Sequence, residues 1–190
     1  MDLAKSVNPK MNFIIKYPNW YESYQETGYN PGKQKDIFDM IYTGTEPRNA
    51  CYSPQHLQRY ESYSIIRLLE NTAPGRNGGG WIDQGGAGDN LSRWLEQANL
   101  TMLAKARELM LFNFSSLVDS PALPPLGQEF YRIDDIVGKC GNPVGVAAWE
   151  PYDADGEDQL YNYLGQGGVN VEPSPYFDDK AATVLLTQSS

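Results

Sequence analysis

Short apolar runs that end in glycine, asparagine or a charged side chain alternate along this chain with segments whose apolar positions recur every three to four residues. The first kind predicts buried parallel strands and the second predicts helices with one apolar face. Asn12 to Tyr17 is such a run, and Ile37 to Arg48 is a second that passes from Ile-Phe-Asp-Met-Ile-Tyr into Thr-Gly-Thr-Glu-Pro-Arg. Between them, Ser23 to Asp36 is polar and broken by Gly28, Pro31 and Gly32, which predicts a loose connection. Ser53-Pro54 carries a helix-start signature, with Leu57, Tyr60, Ile65, Leu68 and Leu69 on a single apolar face up to about Asn71. Trp81 and Ile82 form a short strand after a glycine run, with Asp83 at its end. Asp89 caps a helix whose Leu91, Trp94, Leu95, Ala98 and Met102 share one face as far as about Arg107. Leu109 to Phe114 is a nearly uniform apolar strand that ends at Asn113, and a Pro-rich loop leads to a helix from about Gln128 to Lys139.

Gly141-Asn142-Pro143 breaks that helix, and a fresh strand follows at Val144 to Ala148. A helix opened by Gly156-Glu157 comes next, then an extended stretch from Val169 to Pro175 and a last strand at Thr183 to Thr187. A terminal apolar strand normally precedes its own crossover helix, so the order of elements reads as an α/β fold that stops short. Eight βα units need roughly 250 residues. This chain of 190 residues holds about half of them beside a second α/β segment, and an open sheet can also be complete at this length.

Composition narrows the chemistry. Hydrophobic residues make up 41% of the chain, enough for a core, and the formal charge of -9 without like-charged blocks argues against nucleic acid or an anionic membrane as partner. No apolar stretch approaches the roughly 20 residues needed to cross a bilayer, and the first ten residues lack an apolar signal core, so the expected compartment is the cytoplasm. Cys51 and Cys140 are far apart and read as free thiols, although a disulfide stays open. The single His56 lacks a nearby ligand partner, so neither a metal nor a cofactor is expected. Thirteen Tyr and four Trp, several near strand ends, suit sugar rings as ligands and equally suit half-buried packing.

In α/β enzymes working groups sit beyond the carboxyl ends of parallel strands, and the residues there are Trp20 and Glu22, Glu46, Trp81 with Asp83, and Asn113. For each a structural role competes: turn chemistry for Asp83, an ion pair with Arg48 for Glu46, a solvated helix start for Glu22, a backbone contact for Asn113. Lys16 and Asp39 fall in or beside predicted strands and are expected to pair with one another. Glycines 78 to 80 and 85 to 88 lack the Gly-x-Gly-x-x-Gly and Lys-Ser/Thr patterns of phosphate cradles.

Several of these motifs together resemble bacterial glycoside-hydrolase-like (β/α)8 proteins that carry an appended class I glutamine-amidotransferase-like domain. They are Lys16-Tyr17-Pro18-Asn19-Trp20-Tyr21-Glu22, Phe38 with Tyr42-Thr43-Gly44-Thr45-Glu46, and Gly78-Gly79-Gly80-Trp81 with Asp83. The likeness continues through Glu96-Gln97-Ala98, Ala104-Lys105-Ala106, Leu111-Phe112 and Gly156-Glu157-Asp158 with Tyr163-Leu164-Gly165. It spans nearly the whole chain, and Tyr42 to Glu46 is its most specific part. The resemblance implies the C-terminal half of a TIM barrel (strands five to eight) over residues 1–140. Residues 141–190 would then be the first βαβ of a flavodoxin-like, glutamine-amidotransferase-like domain, with a structural or oligomeric role because no nucleophilic Cys stands in a strand-to-helix elbow. It places Asp83 where related retaining glycosidases carry a glutamate nucleophile after strand seven. Their acid/base follows strand four, about 5 Å away across the site, on the half this chain lacks. The expectation is a carbohydrate-active fragment, inactive alone, with Asp83 and Glu46 catalytic and Trp20, Glu22, Trp81 and Asn113 binding sugar. A non-catalytic carbohydrate-binding or assembly module and a self-contained flavodoxin-like ligand-binding domain are the alternatives.

Overall fold

In a computed structural model of the chain, residues 1–21, 24–51, 53–83, 90–112, 114–153 and 159–187 are described. Helix α1 (Asp2–Val7) precedes β1 (Ile14–Tyr17), and two single turns, α2 (Tyr24–Thr27) and α3 (Pro31–Gln34), occupy the predicted loose connection. Then come β2 (Met40–Gly44), α4 (Glu61–Thr72), β3 (Asn77–Ile82), α5 (Leu91–Leu103), β4 (Glu108–Leu111) and α6 (Leu123–Lys139). The chain continues through β5 (Val146–Trp149), α7 (Leu160–Gln166), β6 (Val171–Ser174) and β7 (Val184–Leu185). The result is an alternating α/β fold with two parallel sheets, one ordered β1-β2-β3-β4 and the other β6-β5-β7.

The first sheet has two unlike faces. Ile15, Tyr17, Ile41, Ile82, Leu109 and Leu111 point toward the helices and join Ile65, Ile66, Leu68 and Leu69 of α4 or Trp94 and Ala98 of α5 in two apolar clusters. The opposite face carries Ile14, Lys16, Met40, Tyr42, Trp81, Glu108 and Met110 by strand alternation. Ile14 is 45% exposed there, and Tyr42 Oη donates to Glu108 Oε2 at 2.7 Å. Parallel sheets are normally covered on both faces. This one is packed on one face among the described residues.

The glycine run is a structural device of β3. Gly78 is the extra residue where the β2–β3 register shifts between Ile41 and Tyr42, and a Cβ on it would lie 2.2 Å from the Tyr42 ring. Gly79 has φ +140°, and its Cβ would stand 2.0 Å from the Glu108 carbonyl oxygen. Only a residue without a side chain fits both constraints.

Helix α4 differs from the single-faced helix that its spacing predicts. Ten of its twelve residues are buried, because β6 packs on the side away from the first sheet. Arg67 donates from Nε to Glu172 Oε2 at 2.8 Å and from Nη1 to the Ala104 carbonyl at 3.2 Å, while Asn71 Nδ2 donates to the Pro173 carbonyl at 2.9 Å. Ser64 Oγ donates to Asn162 Oδ1, Asn162 Nδ2 donates to Glu61 Oε2 at 2.6 Å, and Tyr60 Oη donates to Asn170 Oδ1.

Two further expectations are corrected. The helix begins at Glu61 rather than at Ser53, since Ser53 Oγ accepts from the Gln55 amide in a local turn and the Leu57 amide donates back to the Pro47 carbonyl at 2.7 Å. Asp39 does not pair with Lys16. It accepts from the Phe13 amide at 2.8 Å and pairs with Lys5 Nζ at 2.5 Å, whereas Lys16 Nζ lies 5.9 Å from the Trp81 ring centroid. The helix cap expected at Asp89, the loop at 85–88 and the helix opening at Gly156-Glu157 lie outside the described residues.

Gly79→Ala is expected to cost more than about 3 kcal/mol of stability, while Gly127→Ala in α6, whose Cβ meets nothing within 4 Å, should be neutral or stabilising by about 0.5–1 kcal/mol. Urea unfolding of both variants checks this, and a Gly79→Ala midpoint equal to that of the parent chain would refute it.

Candidate active site

Thr45 stands one residue beyond β2 and is fully buried. Its amide and its Oγ1 both donate to the Trp81 carbonyl at 3.1 Å, and Oγ1 accepts from Gln97 Nε2 at 3.3 Å and Thr101 Oγ1 at 3.0 Å. Its carbonyl accepts from Ser62 Oγ at 2.6 Å. One small residue therefore joins the end of β2 to β3, α4 and α5, and it fixes where the next side chain emerges.

That side chain is Glu46, which is 5% exposed. Gly44 makes the space: a Cβ there would meet Glu46 Oε2 at 2.4 Å. Asn19, itself buried, donates from Nδ2 to the Glu46 carbonyl at 2.6 Å. Oε2 finds no hydrogen-bond partner among the described residues, and Arg48 Nη2, on a residue held at φ +58°, is 3.9 Å from Oε1. Burial pushes the Glu46 carboxyl up to about 7 and the Asp83 charge adds to the rise, against lowering by its own backbone N–H, Arg48 and the Trp81 side chain. The ion pair that competes for Glu46 is thus present but long, and it only partly offsets the rise caused by burial.

Asp83 leaves the end of β3 beside Glu46 and lines a small crevice with Pro47, Arg48, Ser62, Arg93 and Gln97. The crevice has a volume of about 10 Å³, room for about one water molecule. Trp81 reaches Glu46 from β3 and has its ring beneath Lys16. So Glu46, Asp83 and Trp81 come together. Trp20 does not join them: it lines a separate, larger cleft between the loops that follow β1 and β2. Glu22 and Asn113 lie outside the described residues.

Reading the sequence by residue chemistry puts Thr43, Thr45, Glu46 and Arg48 at one rim of the sheet without a role for Thr45, and it missed Asn19 and Ser62 as parts of the site. Asn19 and Thr45 do fall inside the Pro18-Asn19-Trp20 and Thr43-Gly44-Thr45-Glu46 motifs, which was the available signal. Ser62 had none, because its role depends on where α4 begins.

Comparison with known proteins bears on the first sheet. Residues 1–131 match the family model described as "Probable glycosyl hydrolase, catalytic domain". The chain is 29% identical over 121 residues to an uncharacterized protein of Saccharolobus solfataricus, a stretch that is 61% of this chain and 19% of that protein. That relative is archaeal, so the kinship is not confined to bacterial proteins. No solved structure matches the chain. No helix among the described residues is long and apolar enough to cross a membrane. With a match that spans all four strands of the first sheet and the carboxylates at its edge, the chain belongs to the family of probable glycosyl hydrolase catalytic domains.

Proposed function

We propose that residues 1–140 are the C-terminal half of a glycosidase-like barrel, in which Glu46 holds a proton for cleavage of a glycosidic bond and Asp83 works beside it as a carboxylate. The observation that carries this reading is the buried glutamate, protonated up to about pH 7 at the carboxyl edge of a parallel sheet, next to a second carboxylate. Glu46 would protonate the leaving glycosidic oxygen as the C–O bond breaks, the Asp83 carboxylate would face the positive charge that develops at the anomeric carbon, and a water molecule would add to that carbon and return a proton to Glu46. The half-barrel reading is supported by strands adjacent in chain order and by the apolar residues on the uncovered sheet face. An open flavodoxin-like sheet would instead reverse direction beside its first strand. The order β6-β5-β7 suits the opening of a second α/β domain over residues 141–190, for which the sequence resemblance suggests an amidotransferase-like fold.

A second reading, a non-catalytic carbohydrate-binding module, is favoured by the depth of Glu46, which leaves its Oε2 inaccessible in this conformation. Turnover decides between the two. In a protein that carries the complete barrel, Glu46→Gln and Asp83→Asn are each expected to lower kcat/KM by at least about 10²-fold, and the parent rate should fall above about pH 7 as Glu46 loses its proton. Unchanged hydrolysis in both variants would leave only the binding module.

Glu46 also predicts a pH dependence of stability. Its carboxyl binds a proton more tightly folded than unfolded, so its contribution falls as pH rises from about 4.5 to about 7 and is level on either side. Glu46→Gln should be nearly neutral below pH 4.5 and stabilising above pH 7 by up to about 3 kcal/mol. Denaturant unfolding at both ends of that range measures the difference, and a value independent of pH would exclude the raised affinity.

The 190-residue chain by itself should self-associate through the uncovered sheet face or unfold over a broad transition. A strict monomer by sedimentation with one sharp transition would overturn the half-barrel assignment.

A further inference from the structure

The loops after β1 and β2 enclose a cleft of about 500 Å³ lined by Trp20, Glu26, Thr27, Gln55 and His56, with Pro54 and Leu57 completing it. We infer that this cleft is a binding subsite for one or two neutral sugar residues of an oligosaccharide, adjoining the Glu46 carboxyl. The inference rests on the glycosidase-like reading of that carboxyl and adds a substrate class and the residues that select it.

Its size falls within the roughly 300–1,000 Å³ of small-molecule sites. Trp20 is half-buried and held edge-to-face against Tyr29, at a centroid separation of 6.5 Å. Tyr29 in turn packs on Tyr17 and Tyr24. The indole is thus a braced plate, and an apolar plate with polar groups around it matches a pyranose, which has C–H faces and a rim of hydroxyls. The rim is supplied in both senses. Glu26 accepts, the Gln55 amide donates and accepts, and Thr27 Oγ1, which donates to the Tyr24 carbonyl at 3.4 Å, can accept from a ligand. His56 Nδ1 faces the Ser53 carbonyl at 3.2 Å, which places the ring proton on Nδ1 and leaves Nε2 for the ligand. Among the described residues of the cleft Glu26 is the one acidic group and no lysine or arginine is present, so an anionic sugar is disfavoured.

The walls of the cleft are tied to the backbone at Glu46 and Pro47. Asn19, which precedes Trp20, donates to the Glu46 carbonyl, and Leu57 donates to the Pro47 carbonyl. Each wall is one hydrogen bond from a residue flanking or forming the acid. A sugar seated on Trp20 would thus lie on the loops that flank Glu46, whereas the 10 Å³ crevice at Asp83 has no room for one.

The test is binding of cellotriose, maltotriose, xylotriose and mannotriose to a protein that carries the complete barrel, followed by saturation-transfer NMR at millimolar sugar. At least one trisaccharide should bind. Trp20→Ala should weaken it by about tenfold or more, and Gln55→Ala and His56→Ala, at exposed positions that do not endanger folding, by about threefold to tenfold each. Absence of binding by all four sugars, or binding indifferent to Trp20, Gln55 and His56, would overturn the subsite. The two readings fail separately. Binding that depends on the cleft, together with hydrolysis indifferent to Glu46 and Asp83, removes the catalytic assignment and keeps the subsite. Hydrolysis that depends on those carboxylates, with binding indifferent to the cleft, does the reverse.

Discussion

The buried hydroxyl of Thr45 is the constraint on which the carboxyl edge of the first sheet depends. It bonds to the Trp81 carbonyl and takes bonds from Gln97 and Thr101, so β2, β3 and α5 meet at one oxygen. Such bonds contribute only about 0.5–1.5 kcal/mol each, but a buried donor left without its acceptor costs about 1–3 kcal/mol, which makes the junction stringent in geometry rather than strong. The functional consequence follows from the position of Glu46. With its backbone fixed between Thr45 and the Asn19 amide, its side chain turns into the space that Gly44 leaves, and burial there raises its proton affinity. A residue with no chemistry of its own thereby decides the protonation state of the one beside it.

The same junction connects to the second sheet. Ser62, in the first turn of α4, holds the Thr45 carbonyl, and two to five residues later Ser64 and Arg67 bond to Asn162 and Glu172. Breaking one partner of a buried ion pair such as Arg67–Glu172 strands the other, although the pair itself contributes little net stability. Its value is in specifying one docking of β6 on α4. Since α4 then cannot rotate, Ser62 cannot leave Thr45, and the second sheet acts as a brace on the site without contributing a residue to it.

How much of this was legible in the sequence depended on whether the deciding partner was near in the chain. The passage from an apolar run into Thr43-Gly44-Thr45-Glu46 announced a strand end with a carboxylate, and Asp83 after Trp81-Ile82 did the same, because a strand and its first loop residue are local facts. The start of α4 was misread because a serine followed by proline satisfies both a helix cap and a short turn, and the bond from Leu57 to Pro47 that selects the turn spans ten residues. Ser64, Arg67 and Asn71 read as a solvated face since their partners lie about a hundred residues on. Lys16 and Asp39 looked like mates until register placed Lys16 opposite Tyr42, next to Trp81 and away from Asp39. The raised affinity of Glu46 had no sequence signal, because its burial and the nearby Asp83 charge both depend on how the ends of β2 and β3 pack together.

The uncovered face of the first sheet ties these threads to the electrostatics of the site. Arg48 Nη2 stands 3.9 Å from Glu46 Oε1, at the edge of the sheet whose open face carries Lys16 over the Trp81 ring. In water the Arg48 charge is largely screened. Any layer that covers the sheet, as parallel sheets require, removes water and strengthens the attraction of Arg48 for an ionised Glu46, which lowers the affinity that burial has raised. The same layer strengthens the repulsion from Asp83, which acts in the opposite sense. The proton on Glu46 is therefore balanced between the Arg48 cation and the Asp83 carboxylate at the edge of the sheet, and the burial of the glutamate sets where that balance begins.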